Sequence, residues 1–397
     1  MQMAPPEFPQ VPLVDMQAAA NTGNQWVALS LRIDGTRFSS AGDATAAWHA
    51  VFAGPDLLAA VAPLDCVVFL PDPAILSAAL LDVMPPDRVM FAIDAAALAD
   101  AGAIGRLNAL QEEGYRILID GTAPAGVSLP PTLGAISLDC AKYMLAPGML
   151  PPMFGPHLAH AVNTAARREQ CGRAGFSWFS GAYQINPPPS EPPDDGSSRK
   201  RLLSLLGLLA ADADTRALET LLKQDPALSY HLLKLVNSAA FALSTPITNF
   251  AQAIGLLGRR QLQRWLQLLL YARQGEDGLA NPLLPVAALR AAQMESLCKQ
   301  GGGDRDAQDL AFVVGVFSLL DVLLAISMDE IVGALNLPPA TGAALTERSG
   351  AMGRLLRLVE TVAPSDDALR EAAVSPLQWW RSQLHAHHWA IQVSRNL

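Results

Sequence analysis

The chain has 397 residues, 51% hydrophobic and 16% charged, which suits two ordinary cores and excludes a disordered protein. Its net charge of −9 and pI near 5.3 exclude a general affinity for nucleic acid or an anionic membrane. Cys66, Cys140, Cys171 and Cys298 are scattered without a C-x-x-C pair, which excludes a zinc pattern and a disulfide framework; reduced core thiols of a cytoplasmic protein are expected.

Residues 1–24 open with "MQMAPPEFPQVP", which lacks the basic start and apolar run of a secretory signal, and are expected to be an N-terminal extension. The texture of 25–189 alternates. "WVALSLRI" (26–33), "DCVVFL" (65–70), "RVMFAI" (88–93), "YRILID" (115–120) and "LGAISLD" (133–139) predict short buried strands. Between several of them "DATAAWHAVFAG", "AILSAALLDVM" and "AALADAGAIGRLNALQEEG" predict helices, which together imply parallel βαβ units in an α/β barrel or open sheet. From Asp139 to the strand at 158 the chain reads "CAKYMLAPGMLPPMFGPH", too broken by proline and glycine for a covering helix. "NPPPSEPPDDGSS" (186–198) supplies the hinge, with a linker expected at 190–198.

Residues 199–397 predict an all-helical domain of successive amphipathic segments. Within it Asp225 can cap a helix whose first turn holds Pro226 and whose one face carries Leu228, Leu232, Leu235 and Val236. "AFVVGVFSLLDVLLAISM" (311–328) is interrupted by Asp321 and falls short of a clean ~20-residue membrane span, so a buried helix is expected. "GGG" (301–303) follows a helix and reads as a loop, not a phosphate cradle. His385 and His388 of "HAHH" would share a helical face, but no cysteine or carboxylate stands close in sequence and a packed or solvated tail helix is expected.

The stretch "LLKQDPALSYHLLKLVNSAAFALSTPITNFAQAIGLLGRRQLQRWLQLLL" (221–270) closely resembles the opening of an HDOD domain, an all-helical signalling module related to HD-type phosphohydrolases. By that resemblance Ser318 and Leu319 stand where the hydrolases carry their metal-binding His-Asp pair. Arg259, Arg260 and Arg264 lie near one surface of the same stretch and are the candidate partner surface, although a guanidinium held against a carboxylate, with Trp265 in the core, suits them as well. In the first half "GFSWFSGAYQINPPP" (175–189), "LQEEGYRILIDG" (110–121) and "LAHAVNTAARREQCGRAGF" (158–176) are similar, in the right order, to segments of EAL domains, the TIM-type barrels of cyclic-di-GMP phosphodiesterases.

The fold so implied is α/β plus all-α: an eroded EAL-like barrel, then an HDOD helical domain. The resemblance also implies what is missing. Val27 stands at the glutamate of the Glu-Ala-Leu motif, Phe69 or a neighbour at a metal-binding asparagine, and Ala92 at the next glutamate. Asp120 keeps one of two paired aspartates and Gly121 replaces the other; Asp139 remains in "SLD" without the family's lysine. His160 and Asn163 take the places of later glutamates, and Ser180 that of a glutamine. A two-metal phosphodiesterase needs several converging carboxylates, so no catalytic residue, metal or cofactor is expected. The expected role is a non-catalytic scaffold or adaptor that contacts other signalling proteins, not nucleic acid or a membrane, in a cyclic-di-GMP-related network. The alternatives are a cyclic-di-GMP receptor without hydrolysis and a residual metal-dependent phosphodiesterase.

Overall fold

A computed structural model of the chain describes residues 12–54, 56–127, 131–151, 154–186, 207, 250–271 and 279–396. The expected hinge beyond residue 186 and the helix expected from Asp225 lie outside the described residues. The chain divides into two compact units. The first gathers Met1–Pro188 with Val362–Leu369 and Val374–Leu384; the second gathers Pro189–Thr361 with Arg370–Ala373 and His385–Leu397. The expected single helical domain over 199–397 is thereby corrected, since two of its late segments group with the first unit.

The first unit is built on a closed eight-stranded barrel. Its strands are β1 Val14–Ala20, β2 Trp26–Ile33, β3 Asp65–Leu70, β4 Val89–Asp94, β5 Arg116–Asp120, β6 Ile136–Asp139, β7 Leu158–His160 and β8 Trp178–Phe179. β2 to β8 run parallel, while β1 pairs antiparallel with both β2 and β8. The reading of residues 1–24 as an extension is corrected here, because β1 closes the barrel. Its "VDMQAAA" has too few β-branched side chains to stand out as a strand, and register against β2 supplies the pairing instead.

Alternation along the strands packs Ala19, Ala28, Val67, Phe69, Met90, Ala92, Leu118 and Leu158 into one core cluster within the barrel. The alanines leave the width that Phe69 and Met90 occupy. Asp15 and Arg32, a directly opposed cross-strand pair four residues along from the Ala19–Ala28 pair, fall on the same side at the carboxyl end of β2.

Helices α1 (Ala41–Phe52), α2 (Asp56–Ala60), α3 (Ala78–Leu81), α4 (Ala101–Glu112) and α5 (Ala165–Ala174) cover part of the barrel. Ser40 caps α1 by accepting from the Asp43 N–H, and Ala44, Trp48, Val51 and Phe52 give it one buried face. The single helix expected at 74–84 is instead a 3-10 turn, Pro73–Ile75, followed by the one-turn α3. Asp72 caps the first and Ser77 the second, so two local caps divide the segment.

Among the described residues no α-helix stands between β6 and β7, as the proline and glycine content of 140–157 predicts, and none stands between β5 and β6. The stretch after β6 is tied down one bond at a time. Buried His157 accepts the Ile136 N–H on Nδ1 at 3.1 Å and donates from Nε2 to the Pro151 carbonyl at 2.9 Å. The Leu150 N–H donates to the Ala174 carbonyl at 2.9 Å, and Leu150 joins Cys140, Cys171 and Phe176 in a second core cluster. Gly175 ends α5 at φ 112°, and a Cβ there would lie 2.5 Å from the Leu150 carbonyl oxygen.

The remaining described elements are helical: α6 (Phe250–Leu269, broken at Gly258), α7 (Leu283–Gln300), α8 (Arg305–Phe317), α9 (Leu320–Leu324), α10 (Met328–Leu335), α11 (Pro339–Thr346), α12 (Gly350–Glu360), α13 (Asp366–Glu371) and α14 (Pro376–Asn396). α7 packs closely on α8: a Cβ on Gly315 would lie 2.6 Å from the Ala291 Cα. The segment Arg305–Leu324 is long and apolar enough to cross a membrane by composition, but 56% of its most apolar window is buried and α8 serves as a core helix. The Gly301–Gly303 run caps α7 as a loop, and Cys66, Cys140, Cys171 and Cys298 are buried and unbridged.

Candidate functional site

The carboxyl ends of β2 to β8 define the barrel mouth, where enzymes of this architecture place their chemistry. Asp120 ends β5 and receives a hydrogen bond on Oδ1 from His160 Nε2, at the end of β7, at 3.0 Å. A carboxylate only accepts, which places the imidazole proton on Nε2. Arg32 Nη1 lies 3.8 Å from the other Asp120 oxygen. The Arg32 guanidinium carbon sits 3.3 Å from the Phe69 ring centroid, and His160 meets the same ring edge-on at 5.7 Å. The mouth is thus filled by a cation held between an aromatic face and a carboxylate.

Its edges are charged as well. Burial pushes the Asp15 carboxyl up to about 6, against the downward pull of Arg32. Burial likewise lowers the Arg32 guanidinium, which Asp120, Asp15 and Asp139 partly offset. Burial raises Asp139 too, but its bonds from Lys142 at 2.8 Å and the Ala141 N–H at 3.1 Å outweigh that and leave it below the ordinary carboxylate range. Neither Asp15 Oδ1 nor Arg32 Nη2 has a hydrogen-bond partner, although both are sealed from water.

These positions refine the sequence reading. Ala28 belongs to the barrel core cluster and Val27 does not; neither position bears a carboxylate. Phe69 and Ala92 are packed in the core. Gly121 has φ 105°, a backbone that strains an aspartate. Asp139 is bonded to its own loop as a strand-end carboxylate should be, whereas Asp120 is bonded to His160 instead of a loop amide. The Asn163 carbonyl accepts from Asn186, and Ser180 Oγ donates to Gln17 Oε1 at 3.2 Å. Sequence reasoning missed Arg32 and Asp15. The available signal was one arginine at the end of an apolar strand.

In the second unit Ser318 and Leu319 are both buried. Ser318 Oγ donates to the Gly315 carbonyl at 2.8 Å and accepts from Arg290 Nη1 at 3.1 Å. Arg290 also reaches Glu360 at 3.4 Å, and Arg348 grips Glu360 through two bonds of 2.9 and 2.8 Å. Burial lowers the Arg290 guanidinium, opposed by Glu360. Asp321 Oδ1 is buried without a hydrogen-bond partner, and the Tyr271 hydroxyl donates to the Val316 carbonyl at 2.7 Å.

Two of the candidate partner-surface arginines are held against carboxylates. Arg264 forms a fork to Glu295 at 3.1 and 2.5 Å, meets Asp309 at 2.8 Å and lies over Phe312; Arg260 also binds Asp309. Their charges serve packing, with Trp265 buried beside Trp389. The Arg259 side chain lies outside the described residues. His385 is exposed on α14, and partial desolvation lowers its pKa. Among the described residues no three His, Cys, Asp or Glu side chains converge as a metal site would need.

Residues 200–330 match the HDOD domain family, and this chain carries that domain there. The curated relatives include the uncharacterized protein YuxH of Bacillus subtilis, 28% identical over 52% of this chain and 50% of its own. Cyclic di-GMP phosphodiesterase CdgJ of Vibrio cholerae is 30% identical over 53% of this chain and 48% of its own. The chain therefore spans about half the length of the curated relatives it matches. Among solved structures, a putative phosphohydrolase of Shewanella amazonensis aligns at TM-score 0.35 and 17% identity, covering 50% of this chain and 93% of that one. Klebsiella pneumoniae BlrP1, in a complex with calcium and cyclic di-GMP, aligns at 0.33 and 16%, covering 46% and 57%.

Proposed function

We propose that the chain is a signalling protein that works by binding other signalling proteins: a degenerate EAL-like barrel joined to an HDOD domain, acting as a scaffold or adaptor in a cyclic-di-GMP-related network. One observation carries this reading. The place where an EAL enzyme would gather cations and a phosphodiester is occupied by the Arg32 guanidinium, stacked on Phe69 and beside Asp120, which is itself bonded to His160. A cation that belongs to the chain repels the divalent ions such a reaction requires. The Ser318 position supports the same reading, since Arg290 stands against that hydroxyl. The network assignment draws on the HDOD match and on the name of the Vibrio relative.

Incubation with cyclic di-GMP and magnesium or manganese is expected to give no linear dinucleotide, and affinity capture with mass spectrometry is expected to recover a specific signalling protein. Linear product, or capture that returns nothing above control, would overturn the proposal. The receptor alternative is met by calorimetry, where no heat with millimolar cyclic di-GMP is expected because the Arg32 guanidinium stacks on Phe69 at the barrel mouth.

A further inference from the structure

Between β6 and β7, where the barrel carries no helix, the chain turns apolar side chains outward. Tyr143, Met144 and Met149 are exposed, Met144 at 95%, and they are three of the five large hydrophobic side chains exposed among the described residues. Leu145 and Leu150 of the same stretch pack inward on the second core cluster, so a core was within reach of this passage. The backbone that carries the exposed three is fastened to α5. Arg167 donates from Nε to the Cys140 carbonyl at 2.7 Å and from Nη2 to the Tyr143 carbonyl, and the Gly148 N–H donates to the Arg173 carbonyl at 2.8 Å. Apolar side chains gathered on a surface mark a contact site, and flexible thioethers adapt to what they meet there.

We infer that this stretch docks another protein whose contact surface sets an apolar centre among carboxylates, which rests on the scaffold reading above and gives it a place on the molecule. Charge selects the partner. Residues 139–175, the stretch and α5 together, hold the cations Lys142, Arg167, Arg168 and Arg173 against the carboxylates Asp139 and Glu169, in a chain whose net charge is −9. The Lys142 and Arg173 side chains are 74% and 66% exposed, so both are within reach of an acidic rim. A second copy meeting this face with its own would set the same cations against each other. Asp139 and Glu169 interleave with those cations, as in the mixed polar rim of a protein contact and unlike the unbroken basic cluster that holds an anionic membrane.

A photo-crosslinking amino acid placed at Met144 of the full chain, irradiated in living cells of its host, tests the site. The expected product joins position 144 to another protein, through a peptide in which apolar residues stand among Asp and Glu. The same group at Arg357, exposed on α12, should not give that product. Met144→Asp is expected to lower capture of the crosslinked protein about tenfold and Lys142→Glu about threefold. Denaturant unfolding of both variants should match that of the unaltered chain, because neither side chain is buried. A crosslink to this same chain, to lipid or to a peptide rich in Lys and Arg, no crosslink at all, or unchanged capture by Met144→Asp would each overturn the inference. Where position 144 fails while affinity capture still recovers a signalling protein, the scaffold reading stands and only its location falls.

Discussion

Each unit of the chain draws an arginine inward, Arg32 partly exposed at the barrel mouth and Arg290 buried among the helices, and the company each keeps differs. Arg290 meets Ser318 and Glu360, and Glu360 is gripped again by Arg348, so that each charge in the cluster has close partners. Arg32 has one carboxylate at 3.8 Å and an aromatic face, and its Nη2 is left beside the equally unpartnered Asp15 Oδ1. The first arrangement is saturated and serves the fold. The second is unsaturated, with the Arg32 side chain partly exposed at the barrel mouth.

The strongest test of that contrast falls on Glu360. Glu360→Ala leaves Arg290 and Arg348 facing each other without their shared carboxylate, and a loss of about 3 kcal/mol is expected in denaturant unfolding. A loss under about 1 kcal/mol would show the helical cluster to be as dispensable as a surface pair.

The next test works with opposite sign. Asp15 has its pKa raised from 3.8 to about 6, so the folded state still binds a proton that the unfolded state has released. The resulting penalty on folding grows as pH rises between those two values and is complete above the higher one. Asp15→Asn should therefore stabilise the protein by about 1–3 kcal/mol at about pH 7.5, with the gain fading as pH falls from about 6 to about 4. Thermal melts across that pH range check it, and a constant difference would exclude Asp15 as the titrating group.

Gly121→Asp would set a second carboxylate next to Asp120. The positive φ should cost about 1–2 kcal/mol, and the variant should remain without hydrolytic activity because Arg32 still fills the mouth. The smallest effect is expected from Asp120→Asn. Its link to His160 is partly exposed, and about 1 kcal/mol or less should be lost in the same melts.

Much of the barrel could be read from the sequence. β2 to β6 are compact apolar runs, and the helix-free passage after β6 follows from its prolines and glycines. β1 could not be read, because three alanines and a glutamine say little until β2 and β8 offer their edges. That Gly121 and Ala92 carry no carboxylate was legible in the sequence. The company the charged groups keep at the mouth was not: Asp15 faces Arg32 across the β1–β2 pair, while Asp120 and His160 arrive from β5 and β7, about ninety and about a hundred and thirty residues further along the chain. The roles of Arg260 and Arg264 turned on Glu295 and Asp309, carboxylates about thirty to fifty residues away that no local pattern ties to them.

The imidazole of His157 ties the strand before it to a carbonyl six residues back, in the passage where no helix clamps the barrel. A protease that nicks the exposed stretch at Tyr143 and Met144 would therefore meet no helix to unwind. The two pieces would stay associated through the sheet and the Leu150–Ala174 bond, so the barrel could be made as a split protein whose halves reassemble without a tether.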